Sequence, residues 1–279
     1  MKFSTSGNKM IPFYYSTYHR NFGDALNPYL WERIFNIKLK KSDFAHAEAV
    51  GVGSLLQKCT ASKYAVLKRF SGHFKPALQV WSSGFIAAVP PGQVLTRKLE
   101  VKALRGHRSR QIIEQLTQTP CDCAVGDGGL LYPLLLDKIP AKKYPLGIIP
   151  HYRDQQLDCV KSLAAQFPGA VVIDVLDEPL EVLKQIAACE RIFSSSLHGL
   201  IVADALDIPN RHVRFSGNVT GSEFKFGDYY SVFAPEYLLP SLTPAAAHAM
   251  TLEELSGDFR SKLPQIKELQ TKLLAALQR

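Results

Sequence analysis

Short apolar runs alternate with amphipathic helical patterns along almost the whole chain, and this alternation constrains the fold more than any other feature. The apolar runs include IPFYYSTY at residues 11–18, ALQVWSSG at 77–84 and GIIPH at 147–151. Helical spacing separates them, for example in HRSRQIIEQL at 107–116 and LEVLKQIAAC at 180–189. Because parallel neighbours in a sheet need long crossover connections, strands that alternate with helices form mostly parallel sheets. The sequence therefore predicts an α/β protein.

A break in the alternation predicts two lobes. Residues 137–146, DKIPAKKYPL, contain two prolines and three lysines and have the composition of a linker. We expect residues 1–140 to form an N-terminal Rossmann-like lobe and residues 141–240 a C-terminal Rossmann-like lobe. Residues 241–279 are expected to form a helical segment that Pro264 kinks or splits. Lobes of this kind bind ligands at the carboxyl ends of their strands, in the space between them.

The composition is that of a soluble globular chain, with 46% hydrophobic and 21% charged residues. It contains no apolar stretch of about 18 residues, and the N-terminal MKFSTSGNKM lacks the apolar core of an export signal. Its five cysteines include no CxxC pair, which predicts free thiols in a reducing compartment. These features predict a cytoplasmic location.

A net charge of +8, from 33 basic and 25 acidic residues, limits the class of partner. Nucleic acid, an anionic membrane face and a small polyanionic substrate all fit this surplus. Neither zinc-finger spacing nor an RNA-binding aromatic signature is present, which argues against nucleic acid. The dinucleotide, Walker-type, nucleophile-elbow, DxD and HExxH motifs are also missing, so the sequence implies no cofactor or metal.

The sharpest local pattern is RIFSSSLHGLIVADALDIP at residues 191–209, where three serines join a predicted strand to a predicted helix. Serine hydroxyls and the free backbone N–H groups of the helix would converge there, and the helix dipole favours an anion. His198 lies in the first turn of this helix, where it could donate a proton to the bound group. A serine N-cap with a structural histidine is the alternative interpretation.

Two further patterns follow predicted strands in the N-terminal half. NFGD at residues 21–24 occupies the position of a binding loop. Its Asp24 could act as a base for a sugar hydroxyl, or could cap the helix whose start it marks. RGHRSR at residues 105–110 could clamp a phosphate or carboxylate, or could form a solvated basic face.

Three smaller patterns complete the set. VGDGG at residues 125–129 carries Asp127 in a loop that could also be an ordinary strand-to-helix turn. His151 follows the first strand of the C-terminal half and would face the junction of the lobes, unless it is a surface histidine. FKFGDYY at residues 224–230 combines a lysine with aromatic rings that could stack on a sugar or cover the edge of the core.

Taken together, these patterns resemble the polysaccharide pyruvyl transferase family, in particular its xanthan-type branch. The motifs that carry the resemblance are, in order, RNFGDALNPYL, VWSSGF, ALRGHRSR, GDGGLL, GIIPHY, SSSLHGLIVADALDIP and FKFGDYY, from about residue 20 to residue 230. The resemblance implies a GT-B-like pair of Rossmann-like lobes. It also implies a bacterial enzyme that transfers the pyruvyl group of phosphoenolpyruvate to two hydroxyls of a hexose as a ketal and releases phosphate.

The resemblance also implies partners and a location. The acceptor is expected to be a lipid-linked exopolysaccharide precursor at the inner face of the cytoplasmic membrane, and no metal or other cofactor is expected. The basic C-terminal helix could add peripheral contact with anionic lipid, or could pack on the lobes. A nucleotide-sugar glycosyltransferase of the GT-B type and a non-catalytic glycan- or anion-binding protein are the alternative functions.

The motifs of the family suggest roles for individual residues. Many members have arginine directly before the Leu-His pair, where this chain and the xanthan-type branch have serine, here Ser196. The residues expected to be catalytic are His198, Asp24 and Asp127. Those expected to bind phosphoenolpyruvate are Ser195, Ser196, Leu197, His198, Arg105, Arg110, His151 and Lys225. Those expected to bind the acceptor are Asn21, Phe22, Gly23, Asp24, Ser83 and Tyr229.

Overall fold

The computed structural model describes residues 10–16, 21–65 and 75–278. The end of the predicted first strand, residues 17–18, lies outside these ranges, as does Arg20 of the first motif. Within them, no helix is both long enough and apolar enough to cross a bilayer.

The described strands form two parallel sheets, which confirms the α/β prediction. The strands are β1 (Ile11–Tyr14), β2 (Leu39–Lys41), β3 (Ala49–Val50), β4 (Thr60–Ser62), β5 (Leu78–Ser83), β6 (Gln93–Leu95), β7 (Leu99–Leu104), β8 (Ala124–Val125), β9 (Gly147–Ile149), β10 (Val171–Val172), β11 (Ile192–Ser194) and β12 (Asn210–His212). The first sheet has the order β2-β1-β3-β5-β7-β8 and the second has β10-β9-β11-β12, while β4 and β6 form a separate antiparallel pair.

Helices connect most of these strands. The α-helices are α1 (Phe22–Ala25), α2 (Asn27–Arg33), α3 (His107–Thr117), α4 (Asp158–Gln166), α5 (Pro179–Ala187), α6 (Leu197–Ala205), α7 (Ser222–Tyr230), α8 (Pro244–Ala249), α9 (Leu252–Gly257) and α10 (Leu263–Gln278). Three 3-10 helices cover Leu56–Cys59, Gly128–Leu135 and Pro235–Tyr237. Asn21 caps α1 by accepting a hydrogen bond from the Gly23 N–H, so this helix begins before Asp24 and the prediction that Asp24 marks its start is wrong. Pro264 lies in the first turn of α10 and starts a second helix after α9.

Both sheets reverse their strand order at one point. In the first sheet the reversal lies between β1 and β3, and in the second it lies between β9 and β11. Loops that leave the carboxyl ends of two such strands turn to opposite faces of the sheet and open a crevice, where open α/β sheets bind ligands. The two sheets therefore each present a ligand site of the same topological kind.

One hydrophobic cluster joins the two sheets. It contains Phe13 and Trp81 from the first sheet together with Ile149 from the second. Helix α10 returns to the first sheet, where Leu273 is fully buried and its carbonyl accepts a hydrogen bond from Trp81 Nε1 at 3.1 Å. The apolar face of α10, which includes Ile266, is thus buried and is not available to lipid. The lobe boundary near residue 140 and the GT-B-like arrangement stay predictions.

The first sheet bends at Ser82. This residue has a φ of 65°, in the left-handed region that favours glycine, and the pairing of β5 with β7 shifts register around Trp81. The Ser82 hydroxyl donates to the Gly126 carbonyl at 2.8 Å and accepts a hydrogen bond from the Gly128 N–H. These bonds tie the carboxyl end of β5 to the loop after β8 and offset a backbone strain of about 1 kcal/mol.

Candidate active site

A cavity of about 230 Å³ opens where the carboxyl ends of several strands meet. Ser16 follows β1, Ser54 follows β3, His151 follows β9 and Ser196 follows β11, and all four line it. These four strands flank the order reversals of the two sheets. The cavity, called the first cavity below, therefore lies where both topological ligand sites face each other.

Helix α6 points its N-terminus at this cavity. Ser194 locks the turn before the helix, because its hydroxyl donates to the Ile149 carbonyl at 3.0 Å and accepts a hydrogen bond from the Ser196 N–H at 2.9 Å. Ser196, Leu197 and His198 line the first cavity, and the Ser196 hydroxyl makes no hydrogen bond to any described residue. The first turn of the nine-residue helix thus presents free N–H groups and a free hydroxyl to a ligand.

His198 lines the first cavity without a polar partner. No hydrogen bond joins its ring to another residue in the described ranges, and the rings of Phe22 and Tyr132 lie 6.3 and 6.4 Å away. Gly23 is required beside it, because a Cβ there would lie 1.9 Å from His198 Nδ1. Burial, together with the charges of Lys225 and Arg105, lowers the pKa of His198 to about 3. The imidazole is therefore neutral at pH 7 and can accept or donate one hydrogen bond.

Asp24 lines the cavity opposite this helix. Its carboxylate accepts no hydrogen bond and forms no ion pair within the described ranges, and Gly53, at a φ of 130°, leaves room for it. A Cβ on Gly53 would lie 2.5 Å from Asp24 Oδ1. Burial raises the pKa of Asp24 to about 7, Asp127 adds to the rise, and Lys225 opposes it. Asp24 can therefore gain or lose a proton near neutral pH.

Lys225, on helix α7, is the third side chain that lines the first cavity without a polar partner among the described residues. It is 8% exposed and lines the first cavity, and its ammonium lies 5.7 Å from the centre of the Phe226 ring. None of the described residues accepts a hydrogen bond from it or pairs with it as an anion. Burial lowers the pKa of Lys225 to about 8, Arg105 adds to the fall, and Asp24 opposes it. A nearly buried cation without an anion is costly unless a ligand supplies one.

Arg105 also reaches the cavity, but its charge is compensated inside the protein. Its Nε donates to Asp228 Oδ2 at 2.9 Å, and one terminal nitrogen donates to the Ser54 hydroxyl at 2.7 Å. Asp228 also accepts hydrogen bonds from the Ser109 N–H and hydroxyl, at 2.8 and 2.6 Å. Asp228 and Ser54 are functional candidates that were not predicted from the sequence. Asp228 is part of the FKFGDYY motif. Ser54 follows the carboxyl end of a strand, and this position could have identified it from the sequence.

The structure thus brings eight of the predicted site residues to one cavity. They are Asn21, Asp24, Arg105, His151, Ser196, Leu197, His198 and Lys225. Tyr152, Lys58 and Thr220 also line it and were not predicted from the sequence. Nothing local distinguishes Lys58 or Thr220 from other surface residues, so only the fold identifies them.

Other predicted site residues do not line the cavity. Ser195 is buried, where its hydroxyl donates to Asp154 at 2.8 Å and accepts a hydrogen bond from the His151 N–H at 2.8 Å. Asp127 is buried and accepts a hydrogen bond from the Gly129 N–H. Arg110 pairs with Glu114 on the outside of α3. Phe22 and Gly23 are covered by protein and contact His198.

The predicted acceptor contacts Ser83 and Tyr229 are structural residues instead. Ser83 is fully buried, and its hydroxyl donates to the Gly53 carbonyl at 2.9 Å. Tyr229 is fully buried, and its hydroxyl donates to Asp204 Oδ2 at 2.9 Å. Neither side chain can touch a ligand in the first cavity, so both predictions are corrected.

Replacing Tyr229 with phenylalanine is expected to reduce stability without affecting substrate recognition. The change removes one hydrogen bond to the buried Asp204 carboxylate, which costs about 2 kcal/mol, while the carboxylate keeps Lys262 at 2.8 Å. Denaturant unfolding should show this loss, and the KM for each substrate should stay within about twofold of wild type. A raised acceptor KM at unchanged stability would contradict the structural role.

The chain is similar to one protein family over most of its length and to a curated relative over nearly all of it. The sequence profile of the polysaccharide pyruvyl transferases matches residues 21–216. The succinoglycan biosynthesis protein ExoV of Rhizobium meliloti is 26% identical over 270 residues, which cover 92% of this chain and 76% of ExoV.

A second relative is the uncharacterized protein L143 of Acanthamoeba polyphaga mimivirus, 34% identical over 141 residues. That match covers 49% of each chain, so it spans about half the length of the viral protein. No solved structure matches this chain. Because the family profile covers most of the sequence, from residue 21 to beyond the end of β12, the chain belongs to the polysaccharide pyruvyl transferase family.

Proposed function

We propose that the protein transfers the pyruvyl group of phosphoenolpyruvate to two hydroxyls of a hexose in a lipid-linked exopolysaccharide precursor and releases phosphate. The membership of the polysaccharide pyruvyl transferase family supports the reaction class. The name of the relative ExoV, a succinoglycan biosynthesis protein, supports the kind of product. On this proposal the enzyme acts in the cytoplasm, where phosphoenolpyruvate is the soluble donor.

The unpaired cation at Lys225 is the observation that carries this proposal. Phosphoenolpyruvate bears a phosphate, whose second pKa is about 6, and a carboxylate, so it is strongly anionic near neutral pH. Lys225 and the N-terminus of α6 line one cavity, and no anionic side chain in the described ranges pairs with either of them. Lys225 thereby takes the place of the arginine that many relatives carry where this chain has Ser196. Arg105 is already paired with Asp228, so it contributes positive electrostatic potential to the cavity more than a free hydrogen-bonding contact.

The two titratable groups beside the donor would move the protons. Transfer of a proton to the methylene carbon of phosphoenolpyruvate creates an oxocarbenium-like centre, which the first sugar hydroxyl attacks. Phosphate then leaves, and the second hydroxyl closes the ketal. Two hydroxyl protons are released in all; one balances the proton added to the methyl group and the other leaves with phosphate. Asp24 accepts the proton of the attacking hydroxyl, and His198 supplies the proton to carbon.

Donor binding would itself charge His198. Burial is the largest cause that lowers the pKa of His198, and the other two causes are the positive charges of Lys225 and Arg105. A bound trianion offsets both charges and adds a negative charge beside the imidazole, so the pKa of His198 rises when the donor is present. The protonated imidazole is thus formed only in the donor complex, and this reduces the transfer of its proton to unproductive acceptors.

The activity is expected to follow a narrow bell-shaped dependence on pH. Asp24, with a pKa of about 7, must be deprotonated to act as a base, so kcat/KM rises with pH through about 7. Lys225, with a pKa of about 8, must be charged to hold the donor, so kcat/KM falls above about 8. Measuring kcat/KM across this range tests both limbs. A wild-type acidic limb that persists in Asp24→Asn would argue against this assignment of the base.

The proposed function is tested with the purified full chain, phosphoenolpyruvate and a panel of mannosides, galactosides and glucosides. Release of phosphate that depends on the acceptor, together with a product that carries an acid-labile pyruvate ketal by mass, is expected. A parallel panel of nucleotide sugars tests the glycosyltransferase alternative. Sugar transfer from a nucleotide donor, or donor binding without any product across the whole acceptor panel, would contradict the proposal.

A further inference from the structure

A second cavity, larger than the first, lies on the other side of helix α7. Its volume is about 370 Å³, and no residue lines both cavities. Lys225 faces the first cavity, whereas Phe226 and Gly227 of the same helix face the second. The walls of the second cavity come from both halves of the chain, because Arg108 of α3 lines it together with the end of β12. The two cavities are thus neighbours across a single helix.

The second cavity is rich in cations, and some of them have no anion. Its lining contains Arg108, Arg211, Arg214, Arg260 and Lys262 against Glu223, Glu236 and Asp258. Arg211 pairs with Asp258 at 2.7 Å, Arg214 approaches Glu223 at 3.6 Å, and Lys262 is satisfied by the buried Asp204.

Arg108 and Arg260 are exposed and form neither an ion pair nor a hydrogen bond within the described part of the chain. Two guanidinium groups therefore remain open to a ligand at this cavity. Guanidinium forks bind phosphate or carboxylate groups through paired hydrogen bonds.

The guanidinium of Arg108 lies against α7 at Gly227. A Cβ on Gly227 would lie 2.2 Å from one terminal nitrogen of Arg108. The absence of a side chain at Gly227 lets the guanidinium lie against the helix backbone, at the wall of the cavity. An alanine at this position would therefore displace the end of the flexible arginine side chain without removing it.

Aromatic rings also line the second cavity. His212 stacks on Phe226 with ring centres 4.0 Å apart and planes 13° apart. Tyr237 and Phe259 also line the cavity, with Lys262 held 5.8 and 5.2 Å from their ring centres. Flat apolar surfaces beside hydrogen-bonding arginines suit a pyranose ring that carries an anionic group, since each part of such a ligand finds a matching wall.

We propose that the second cavity binds an acidic saccharide unit of the acceptor, a sugar ring that carries a phosphate or a carboxylate. This inference rests on the proposed function, since it makes the second cavity an acceptor subsite next to the donor in the first cavity. Arg108 and Arg260 bind the anionic group, and the side of the cavity formed by Tyr237 and Phe259 packs against the ring. The subsite would thus select acceptors that carry a negative charge on a sugar unit other than the one that receives the pyruvyl group.

Binding of defined probes to the full chain tests the subsite directly. Glucose 1-phosphate, glucuronic acid, glucose and inorganic phosphate are titrated by calorimetry, with phosphoenolpyruvate titrated separately. The doubly substituted Arg108→Gln, Arg260→Gln protein should bind glucose 1-phosphate or glucuronic acid about tenfold more weakly, with phosphoenolpyruvate binding within twofold of wild type. Lys225→Met should show the opposite pattern. Gly227→Ala, which displaces Arg108 but keeps it, should also weaken the acidic sugars.

Matched controls and outcomes separate this inference from the proposed function. Arg33→Gln removes a comparable exposed arginine, which lies 5.6 Å over the Tyr29 ring, and should change nothing. Equal binding of glucose 1-phosphate by wild type and the double variant would overturn the subsite, as would its displacement by phosphoenolpyruvate. Inorganic phosphate binding as tightly as glucose 1-phosphate would overturn the saccharide part. Failure of the proposed function appears separately, as absence of pyruvyl transfer by the wild-type protein.

Discussion

Replacing Lys225 with methionine is expected to abolish productive donor binding while making the folded protein more stable. Lys225 is 8% exposed and has no anionic partner among the described residues, so its charge opposes folding in the ligand-free state. Burial lowers the pKa of Lys225 from 10.5 to about 8, which corresponds to a cost on the order of 3 kcal/mol at pH 7. Methionine has a similar length, fills the same space and carries no charge, so the variant avoids this cost.

The pH dependence of this stabilisation has a definite sign. Below about pH 8 the folded and unfolded lysine are both charged, and the full cost is present. Between pH 8 and 10.5 the folded Lys225 loses its proton before the unfolded one does, so wild-type stability rises relative to the variant. The stability gained by Lys225→Met is therefore largest at neutral pH and disappears above about pH 10.5. Urea unfolding at several pH values measures it.

The loss of donor binding should be large. A buried charge-assisted contact with phosphate contributes about 1.5–3 kcal/mol, so phosphoenolpyruvate should bind about 10- to 100-fold more weakly to Lys225→Met. Lys161→Met provides the matched control, because Lys161 lies on the exposed side of α4, 3.8 Å from Asp158 and far from complete burial. Tight donor binding in a more stable variant would show that the cation does not hold phosphoenolpyruvate. An unstable variant would show that Lys225 stabilises the fold through contacts other than those described above.

Replacing His198 with alanine is expected to abolish turnover while the protein stays folded. The ring makes no hydrogen bond to a described residue, so its removal leaves no buried polar partner unsatisfied, and the loss of stability should stay below about 2 kcal/mol. Loss of a positioned proton donor should reduce kcat by about 10²- to 10⁴-fold. Donor binding should weaken much less, because Lys225 and the N-terminus of α6 remain in place.

Two measurements distinguish a role of His198 as proton donor from a role in donor binding. Turnover and phosphoenolpyruvate binding are measured together, so that loss of the acid is separated from loss of the donor site. His46→Ala serves as the control, since His46 is an exposed histidine that contacts Asp43 at 2.9 Å outside the cavity. Wild-type rates in His198→Ala would exclude it as the proton donor. A loss of donor binding as large as the loss of kcat would make it a binding residue instead.

Local sequence was sufficient to locate the helix N-terminus at the first cavity. Three serines between a buried run and a helical pattern predict a helix N-terminus, and the structure places the start of α6 at Leu197, on the wall of the first cavity. This prediction succeeds because a strand, a turn and the first helical turn are adjacent in the chain. The same reasoning placed His151 at the carboxyl end of β9, where it also lines the cavity.

Local sequence was not sufficient to separate residues that line the cavity from buried residues that stabilise the fold around it. Ser195 and Ser196 are neighbours with equal chemistry, yet one hydroxyl bonds the buried Asp154 and the other faces the cavity. Tyr229 and Lys225 stand in one short motif, yet one fills the core and the other lines the first cavity. The direction of a side chain depends on which elements pack around its helix, and that information is distributed over the whole chain.

The sequence by itself determined that alternating strands and helices build parallel sheets, and that a serine-rich turn leads into the N-terminus of a helix. Those outcomes follow from short-range periodicity and from the backbone groups that a helix leaves unpaired. Only the tertiary structure decided which cation stays without an anion. Asp228 neutralises Arg105 from 123 residues away, while Lys225 is buried without an ionic partner among the described residues. Burial and pairing are properties of the packed molecule, because both depend on residues that meet only after folding.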